Sequence, residues 1–512
     1  MKILYVNPAR LESGLDAIIK GAPLSLISIA AMVPDHDAKL FDFKIEKYYE
    51  KRFQRELNRY DVVAITSMTP QIDHALEVAQ LAKEQGCTTI IGGYHPTLDP
   101  DYVARDQSVD YAIRGEGEHT FKEIIDYIDG NQNHVTLKEI DGVSYCNNNG
   151  KVTHNKDRRL ETNLDNFPMP RRDLLKWKKY IYLGTRVAPL ETSRGCPHSC
   201  KFCCIIKMWK DPIHHISYRT KSLKRIMQEI YDVNLGHNFI FFCEDNFTIN
   251  AKRTKKILDT IIQTGLPNKF YFSCQSRVDT LYQNPWLVDL MQKAGMRQVF
   301  LGIESVHQQS LDAMGKINTT PAKITKVVKM LQDHGISIFG GVIIGYPGET
   351  KKMVRQNISF TKSLNLTIVQ FTPITAFPGT PFYDEMKSKN MITTNNYKYY
   401  DLFHSMMRTE QLSNHEMYGL VGEAYADYYM GRDWLKMVAK RYINPFSKFN
   451  WMLPQVPRFI KAVIRNGYQM LRSMGISEDI ISLQLKENNM YKDLKIRQSP
   501  AKVIEQEIKV KT

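Results

Sequence analysis

No stretch of this 512-residue chain is apolar for the roughly 18 to 20 residues that cross a bilayer. The longest largely apolar runs, Leu24 to Val33 and Ile336 to Ile344, fall far short, so no transmembrane helix is expected. The start, Met1-Lys-Ile-Leu-Tyr-Val-Asn-Pro, lacks the apolar core and small-residue cleavage site of a signal peptide and reads directly as a strand. The eight cysteines lack the spacing of a disulfide framework, which points to a reducing compartment and a cytoplasmic protein. No Ser-His-Asp set, P-loop or H-E-x-x-H motif occurs, so hydrolase and kinase chemistry have no support. An acidic surplus is missing too: 69 basic residues face 54 acidic ones, a formal charge of +15.

What is present is an ordinary globular composition, 43% hydrophobic and 24% charged. The length is too great for one core and predicts two to four domains. The most informative segment is Cys196-Pro-His-Ser-Cys200-Lys-Phe-Cys203. Thiolates select zinc or iron-sulfur clusters, and structural zinc sites are closed by four ligands, usually in paired C-x2-C or C/H modules. No second pair lies nearby. Three thiolates at C-x3-C-x2-C spacing hold three irons of a cubane and leave the fourth open for chemistry. Cys204 would change the spacing and reads as a small buried residue. The loop follows the apolar stretch at Val187, with Arg194-Gly195 as the turn, and so sits past the end of a strand, where α/β barrels carry their chemistry.

With Phe202 before the third cysteine, this loop resembles the signature of the radical S-adenosylmethionine (SAM) superfamily. The resemblance implies a 4Fe-4S cluster on Cys196, Cys200 and Cys203 and SAM chelated to the open iron, with one-electron reduction releasing a 5'-deoxyadenosyl radical. It also implies a one-electron reductant of ferredoxin or flavodoxin type. The dispersed Cys87, Cys146, Cys243 and Cys274 leave no second cluster to expect.

Ahead of the loop, residues 2 to about 130 alternate strands with amphipathic helices. Strands are expected at Lys2 to Val6, Ala38 to Phe41, Val62 to Thr66, Thr88 to Gly92 and Asp110 to Arg114, with helices from about Leu24, Glu46, Gln71 and Glu118. This order predicts an open, mostly parallel sheet whose ligand lies beyond the carboxyl ends of the strands. Thr66-Ser-Met-Thr69, Gly92-Gly-Tyr-His95 and Gly115-Glu-Gly-Glu118 fall at those ends. Together they resemble the cobalamin-binding domain of B12-dependent radical SAM enzymes, in which T-S-x-T, G-G-x-H and G-E-G-E recur in this order. The resemblance implies that Ser67, Thr69, Gly92, Gly93, His95, Gly115 and Glu116 line a cobalamin pocket. The D-x-H-x-x-G sequence that supplies a cobalt-ligating histidine in other B12 proteins is absent, so no protein imidazole is expected on cobalt.

Residues 136–185 read as a linker, with a hairpin around Asn147 to Gly150 and a strap at Asn166-Phe-Pro-Met-Pro-Arg-Arg-Asp. From 186 to 400 the βα rhythm resumes. Strands are expected at Pro189 to Thr192, Phe239 to Cys243, Lys269 to Cys274, Gln298 to Ile303, Ser337 to Ile344 and Thr367 to Thr372, six units that match the partial (β/α)6 barrel of the radical SAM family. Phe202, Glu244, Asp245, Gln275, Arg277, Glu304 and Ser305 lie at the loop or at strand ends and are the expected SAM contacts: acidic groups for the ammonium, Arg277 for the carboxylate, Glu304 for ribose or methionine. An ion pair closing the barrel mouth is the alternative for each charged one. The overall expectation is α/β: a Rossmann-like cobalamin domain over 1–135, the barrel, and a helical basic region over 401–512.

In that last region helices are expected at Asn414 to Tyr429 and Trp434 to Tyr442. Gly431 to Met470 carries eight basic residues (Arg432, Lys436, Lys440, Arg441, Lys448, Arg458, Lys461, Arg465) against Asp433 alone, with Trp434, Tyr442, Phe446, Phe449, Trp451 and Phe459 interleaved. Such a mix suits an anionic membrane surface or a nucleic acid, or is simply a solvated face. Asp401-Leu-Phe-His-Ser begins a segment resembling one found after the barrel in hopanoid methylases, archaeal tetraether-lipid ring synthases and the anaerobic cyclase of bacteriochlorophyll synthesis. The expected function is C-methylation or ring closure at an unactivated carbon of a membrane lipid or isoprenoid, with the protein peripheral on the inner membrane face. One rival is an RNA-modifying radical SAM enzyme, but relatives that methylthiolate tRNA carry three N-terminal cysteines where this chain has only Cys87 before residue 140. A non-enzymatic B12 or redox sensor is the other rival, disfavoured by retention of all three cluster cysteines.

Overall fold

Two parallel sheets stand side by side in the computed structural model, which describes residues 1–9, 19–46, 49–130, 136–147, 149–182, 185–211, 218–233, 239–443 and 447–449. The first is built from β1 (Lys2–Asn7), β3 (Asp37–Asp42), β4 (Val62–Thr66), β5 (Thr88–Gly92) and β6 (Tyr111–Ile113), in the order β3-β1-β4-β5-β6. All these neighbours are parallel. Alternation along β1 feeds two cores: Ile3 and Tyr5 face the core shared with the second sheet, Leu4 and Val6 the opposite face. The hairpin of β7 (Val143–Cys146) and β8 (Val152–His154) is more than a linker, since β7 pairs antiparallel with β6 and extends this sheet to seven strands.

The second sheet holds the six expected parallel strands: β10 (Thr185–Leu190), β13 (Phe239–Phe242), β14 (Tyr271–Arg277), β15 (Met296–Glu304), β16 (Ser337–Ile344) and β17 (Ile368–Pro373). Helices Leu223–Asp232, Ala251–Gln263, Pro321–Asp333 and Lys351–Ser363 stand between successive strands. Among the described residues β17 does not pair back to β10, so the sheet is a curled half-barrel. It is extended beyond β10 by β9 (Ile181–Tyr182) and then β2 (Ile19–Lys20), both antiparallel to their neighbours. A strand from the N-terminal region therefore completes the edge of the catalytic sheet. The first barrel strand begins at Thr185 rather than at Pro189. Pro189 lies inside it, opposite Phe241 of β13, and β9 pairs only with Thr185 and Arg186, so the missing N–H faces no partner strand.

After the barrel, helix Asn414–Tyr429 packs on β17, its N-terminus closed by reciprocal bonds between Ser413 and Glu416. Helix Arg432–Val438 runs into a π-helical turn, Ala439–Ile443. Three aromatics of this basic segment are not available to a membrane. Trp434, Tyr442 and Phe449 are buried in the main core, with the Trp434 indole donating to Thr367 O at 3.2 Å and the Tyr442 hydroxyl bonded to Ser337 at 3.3 Å. Arg441 donates to Asn365 O, while Arg432, Lys436 and Lys440 remain exposed. Phe446, Trp451, Arg458, Phe459, Lys461 and Arg465 lie outside the described residues. No helix among the described residues is long and apolar enough to cross a membrane.

Candidate functional site

The carboxyl ends of β4, β5 and β6 open into a cavity of about 300 Å³ whose far wall belongs to the barrel. Ser67, Gly92, Gly93, Gly115 and Glu116 line it from the first domain, and Glu191, Arg194, Trp209 and Cys243 from the barrel side. The first wall is held by backbone. Ser67 N donates to Gly92 O at 2.8 Å, and the Thr97 hydroxyl donates to Gly93 O at 2.8 Å while accepting from Gly115 N at 2.9 Å, so one side chain ties two glycine loops together. Gly93 has φ +110°, and a Cβ there would lie 2.9 Å from Ser67 O and 3.1 Å from the Thr66 hydroxyl. Only glycine fits that position.

Two expected pocket residues are elsewhere. Thr69 opens a buried turn, Thr69–Gln71, behind the wall. His95 is fully buried in an aromatic box, its ring 4.4 Å from that of Tyr397 and 5.7 Å from that of Tyr102. Burial pushes its pKa down to about 4, so it is a neutral ring. The Tyr397 hydroxyl donates to Asp99 at 2.5 Å and thereby binds the segment after the barrel to the first domain.

Glu116 lines the cavity but is also gripped from the barrel side. The two-stranded ribbon of β11 (Ser193–Arg194) and β12 (Arg219–Thr220) sets Arg194 directly opposite Arg219. Arg194 donates to Glu116 at 2.6 Å and Arg219 to both Glu116 oxygens at 3.0 Å. Arg194 reaches Glu118 at 2.7 Å and Glu191 at 2.8 Å as well, and its guanidinium lies over the rings of Phe167 and Trp209. Burial opposes the charge on Glu116, but the two arginines outweigh it and hold the carboxyl below its ordinary value.

The cysteine loop leaves this ribbon directly. Cys196, Cys200 and Cys203 are free thiols on one turn, with Cys203 N donating to Cys200 O at 3.0 Å and Arg277 Nη1 3.6 Å from Cys200 Sγ. Among the described residues no group of three or more His, Cys, Asp or Glu side chains stands close enough together to hold a metal ion. Burial pushes the thiols of Cys196 and Cys203 upward, and iron is the kind of cationic partner that draws the proton from a thiol ligand. The donor set therefore fits a cluster, and the glycine cradle, with its Cβ-excluding approach at Gly93, fits a large ligand lying against backbone.

Around the barrel mouth the expected SAM residues are brought to the strand ends, several of them already paired. Arg277 chelates Asp279, with contacts of 3.0 and 2.8 Å. Glu304, at φ +62°, is bonded to Lys316. Glu244 accepts from the Thr192 hydroxyl and, at 3.3 Å, from Thr192 N. Burial raises its pKa to about 7, and burial together with Glu191 does the same for Asp245. Gln275 donates to the carbonyls of Cys243 and Glu244 at 3.3 Å. The Ser305 hydroxyl donates to the buried Glu349 at 3.1 Å, and half-buried Phe202 packs against the main core. Thr97, Glu191, Arg194, Arg219 and Cys243 were not expected as site residues. The spacing of Glu191 and Arg194 just before Cys196 was the one signal available for them.

Residues 190–361 match the Radical SAM superfamily and residues 19–125 the B12 binding domain. An uncharacterised methyltransferase of Pyrococcus horikoshii is 33% identical over 84% of this chain and 93% of its own length. The anaerobic magnesium-protoporphyrin IX monomethyl ester cyclase of Rubrivivax gelatinosus is 24% identical over 92% of this chain and 83% of its own length. The hopanoid C-3 methylase of Methylococcus capsulatus is 27% identical over 82% and 78%. Among solved structures, the cobalamin-dependent S-adenosylmethionine radical enzyme OxsB with aqua-cobalamin bound superposes with a TM-score of 0.66 at 17% identity, covering 96% of this chain and 84% of that one, a likeness of fold. Order, coverage and fold agree, and the chain belongs to the cobalamin-dependent radical SAM methyltransferase family, enzymes that use a 4Fe-4S cluster, SAM and cobalamin.

Proposed function

We propose that this enzyme functionalises an unactivated carbon, by C-methylation or by C–C ring formation, on a membrane lipid or isoprenoid. The observation that carries the reading is the shared cavity: Gly92, Gly93 and Gly115 on one wall, Glu191, Arg194 and Cys243 on the other, next to the cysteine loop. When bound, the cluster with SAM supplies a carbon-centred radical and cobalamin a transferable methyl group. The chain's own residues do the placing. Cys196, Cys200 and Cys203 would hold the cluster, with Arg277 beside Cys200 adding positive charge next to the sulfur. Gly92 and Gly93 allow a cobalamin to lie against backbone, and apolar Leu24, Ile29, Ile90, Ile113 and Phe121 keep water from that wall.

The lipid assignment is supported by the hopanoid methylase among the relatives and by the exposed Arg432, Lys436 and Lys440 at the far end of the barrel. Each such charge contributes about 1 kcal/mol near an anionic bilayer. Mass spectrometry of lipid extracts from wild-type and deletion cells tests the assignment: a methylene difference signals methylation and a two-hydrogen difference ring closure. Identical lipid profiles would contradict it.

A further inference from the structure

The cysteine loop is an excursion from a ribbon, and the ribbon is fastened to the opposite domain at one carboxylate. Arg194 lies two residues before Cys196, and Arg219 returns the chain after the loop; the two are in register across the ribbon. Both guanidiniums converge on Glu116, which stands in the glycine-rich segment lining the cavity from the other domain. Arg219 also donates to Glu161 O at 2.6 Å, and Glu116 accepts from Glu161 N at 2.9 Å, so the linker between the domains closes the same knot. Side-chain exposure is 9% for Arg194, 3% for Arg219 and 4% for Glu116. In such surroundings a charge pair is not loosened by solvent, and removing one partner strands the other.

From this we infer that Arg194 and Arg219, acting through Glu116, are positioning residues that fix the cluster loop relative to the cobalamin wall. A surface ion pair would leave that relation soft. Two guanidiniums on one buried carboxylate define both distance and orientation: Arg194 meets it through one nitrogen and Arg219 bridges both its oxygens through another, while each planar group lies over the Trp209 ring and its stem is pinned by the ribbon. The knot also includes Glu118 and Glu191, which hold Arg194 from its other side. Both ends of the cysteine excursion are thereby referenced to the segment that opens helix Gly117–Ile128. A loop held at one end only could pivot.

The inference rests on the cofactor assignment above and is tested without substrate. Anaerobically reconstituted full-length protein is loaded with hydroxocobalamin and reduced so that cob(II)alamin and the cluster are both paramagnetic. Pulsed electron paramagnetic resonance then reads the distance distribution between them. The native enzyme should give one narrow distribution, and Arg219→Lys, which keeps the charge but loses the planar group that lies over Trp209, should broaden or shift it. The dissociation constant for hydroxocobalamin should rise by roughly fivefold in the same variant, within the range for one ordinary hydrogen bond. A distribution of native centre and width in folded Arg219→Lys overturns the inference, whatever the change in melting temperature, because a merely structural contact would alter stability alone. If Arg219→Lys does not fold, Glu118→Gln, a neutral isostere that removes one hold on Arg194, is read in the same way. Absence of any dipolar signal in the native protein would fault the cofactor assignment itself, an outcome separate from an unchanged variant.

Discussion

On the first-sheet side of the cavity the glycine loops present backbone, whereas at the barrel mouth the charged residues Glu244, Arg277 and Glu304 each hold a protein partner. Gly92, Gly93 and Gly115 are locked by main-chain bonds and by the Thr97 hydroxyl. Arg277 is chelated by Asp279, Glu304 by Lys316, and Glu244 by Thr192. The difference has a physical consequence. A backbone wall sets shape and fails by steric intrusion, while a wall of paired charges sets electrostatics and fails when one member is left alone.

The comparison breaks most completely at the cysteines, which neither wall can replace. Cys196→Ala, Cys200→Ala and Cys203→Ala should each abolish the cluster in anaerobic iron and sulfide assays, and Cys204→Ala should retain it. Cluster loss in Cys204→Ala with retention in Cys203→Ala would reverse the ligand assignment.

Gly93→Ala probes the backbone wall alone. Its Cβ would lie 2.9 Å from Ser67 O at a φ of +110°. Strain of about 1–3 kcal/mol at such a position translates into a roughly tenfold loss of hydroxocobalamin affinity, with the iron content of the protein unchanged. Native affinity in equilibrium dialysis would mean that the cradle is not where cobalamin lies.

Glu244→Gln sharpens the other side. Burial raises the folded-state pKa of Glu244 to about 7, above its ordinary value, so the folded protein binds the proton more tightly than the unfolded chain. Its contribution to stability is therefore best at low pH and is lost as the pH rises toward about 7, by up to about 3 kcal/mol. Between pH 5 and pH 8 the wild type should lose more melting temperature than Glu244→Gln. Equal losses would assign the acid to a less confined place.

The smallest effect is expected far from both walls. Replacing Arg432, Lys436 and Lys440 by Gln should weaken co-sedimentation with anionic liposomes, by about 1 kcal/mol per charge at low salt, and leave SAM cleavage intact. Trp434 and Tyr442 are core residues, so their replacement should cost stability instead. Binding to tRNA without sedimentation on anionic liposomes would favour an RNA substrate.

Much of this arrangement was legible in the chain itself. β16 and helix Asn414–Tyr429 span the residues expected of them from the chain, and the cysteine spacing marks the loop. Short elements without a period, such as Ile19–Lys20 at the edge of the second sheet, carry no local signal. The grip on Glu116 joins residues 78 and 103 positions away, a proximity only the packed domains create. A histidine in a glycine-rich turn resembles a ligand contact, while the His95 ring packs on Tyr102 and on Tyr397, some three hundred residues later in the chain. Trp434, Tyr442 and Phe449 are alike in this: interleaving with charge looks amphipathic until the barrel supplies the apolar partner.

The most direct test of the whole account is the yield of 5'-deoxyadenosine from SAM, by anaerobically reconstituted, reduced protein, set against that of Cys203→Ala. The account predicts steady formation by the native protein and none by the variant. No product from native protein carrying a full cluster, or equal product from both, would contradict it.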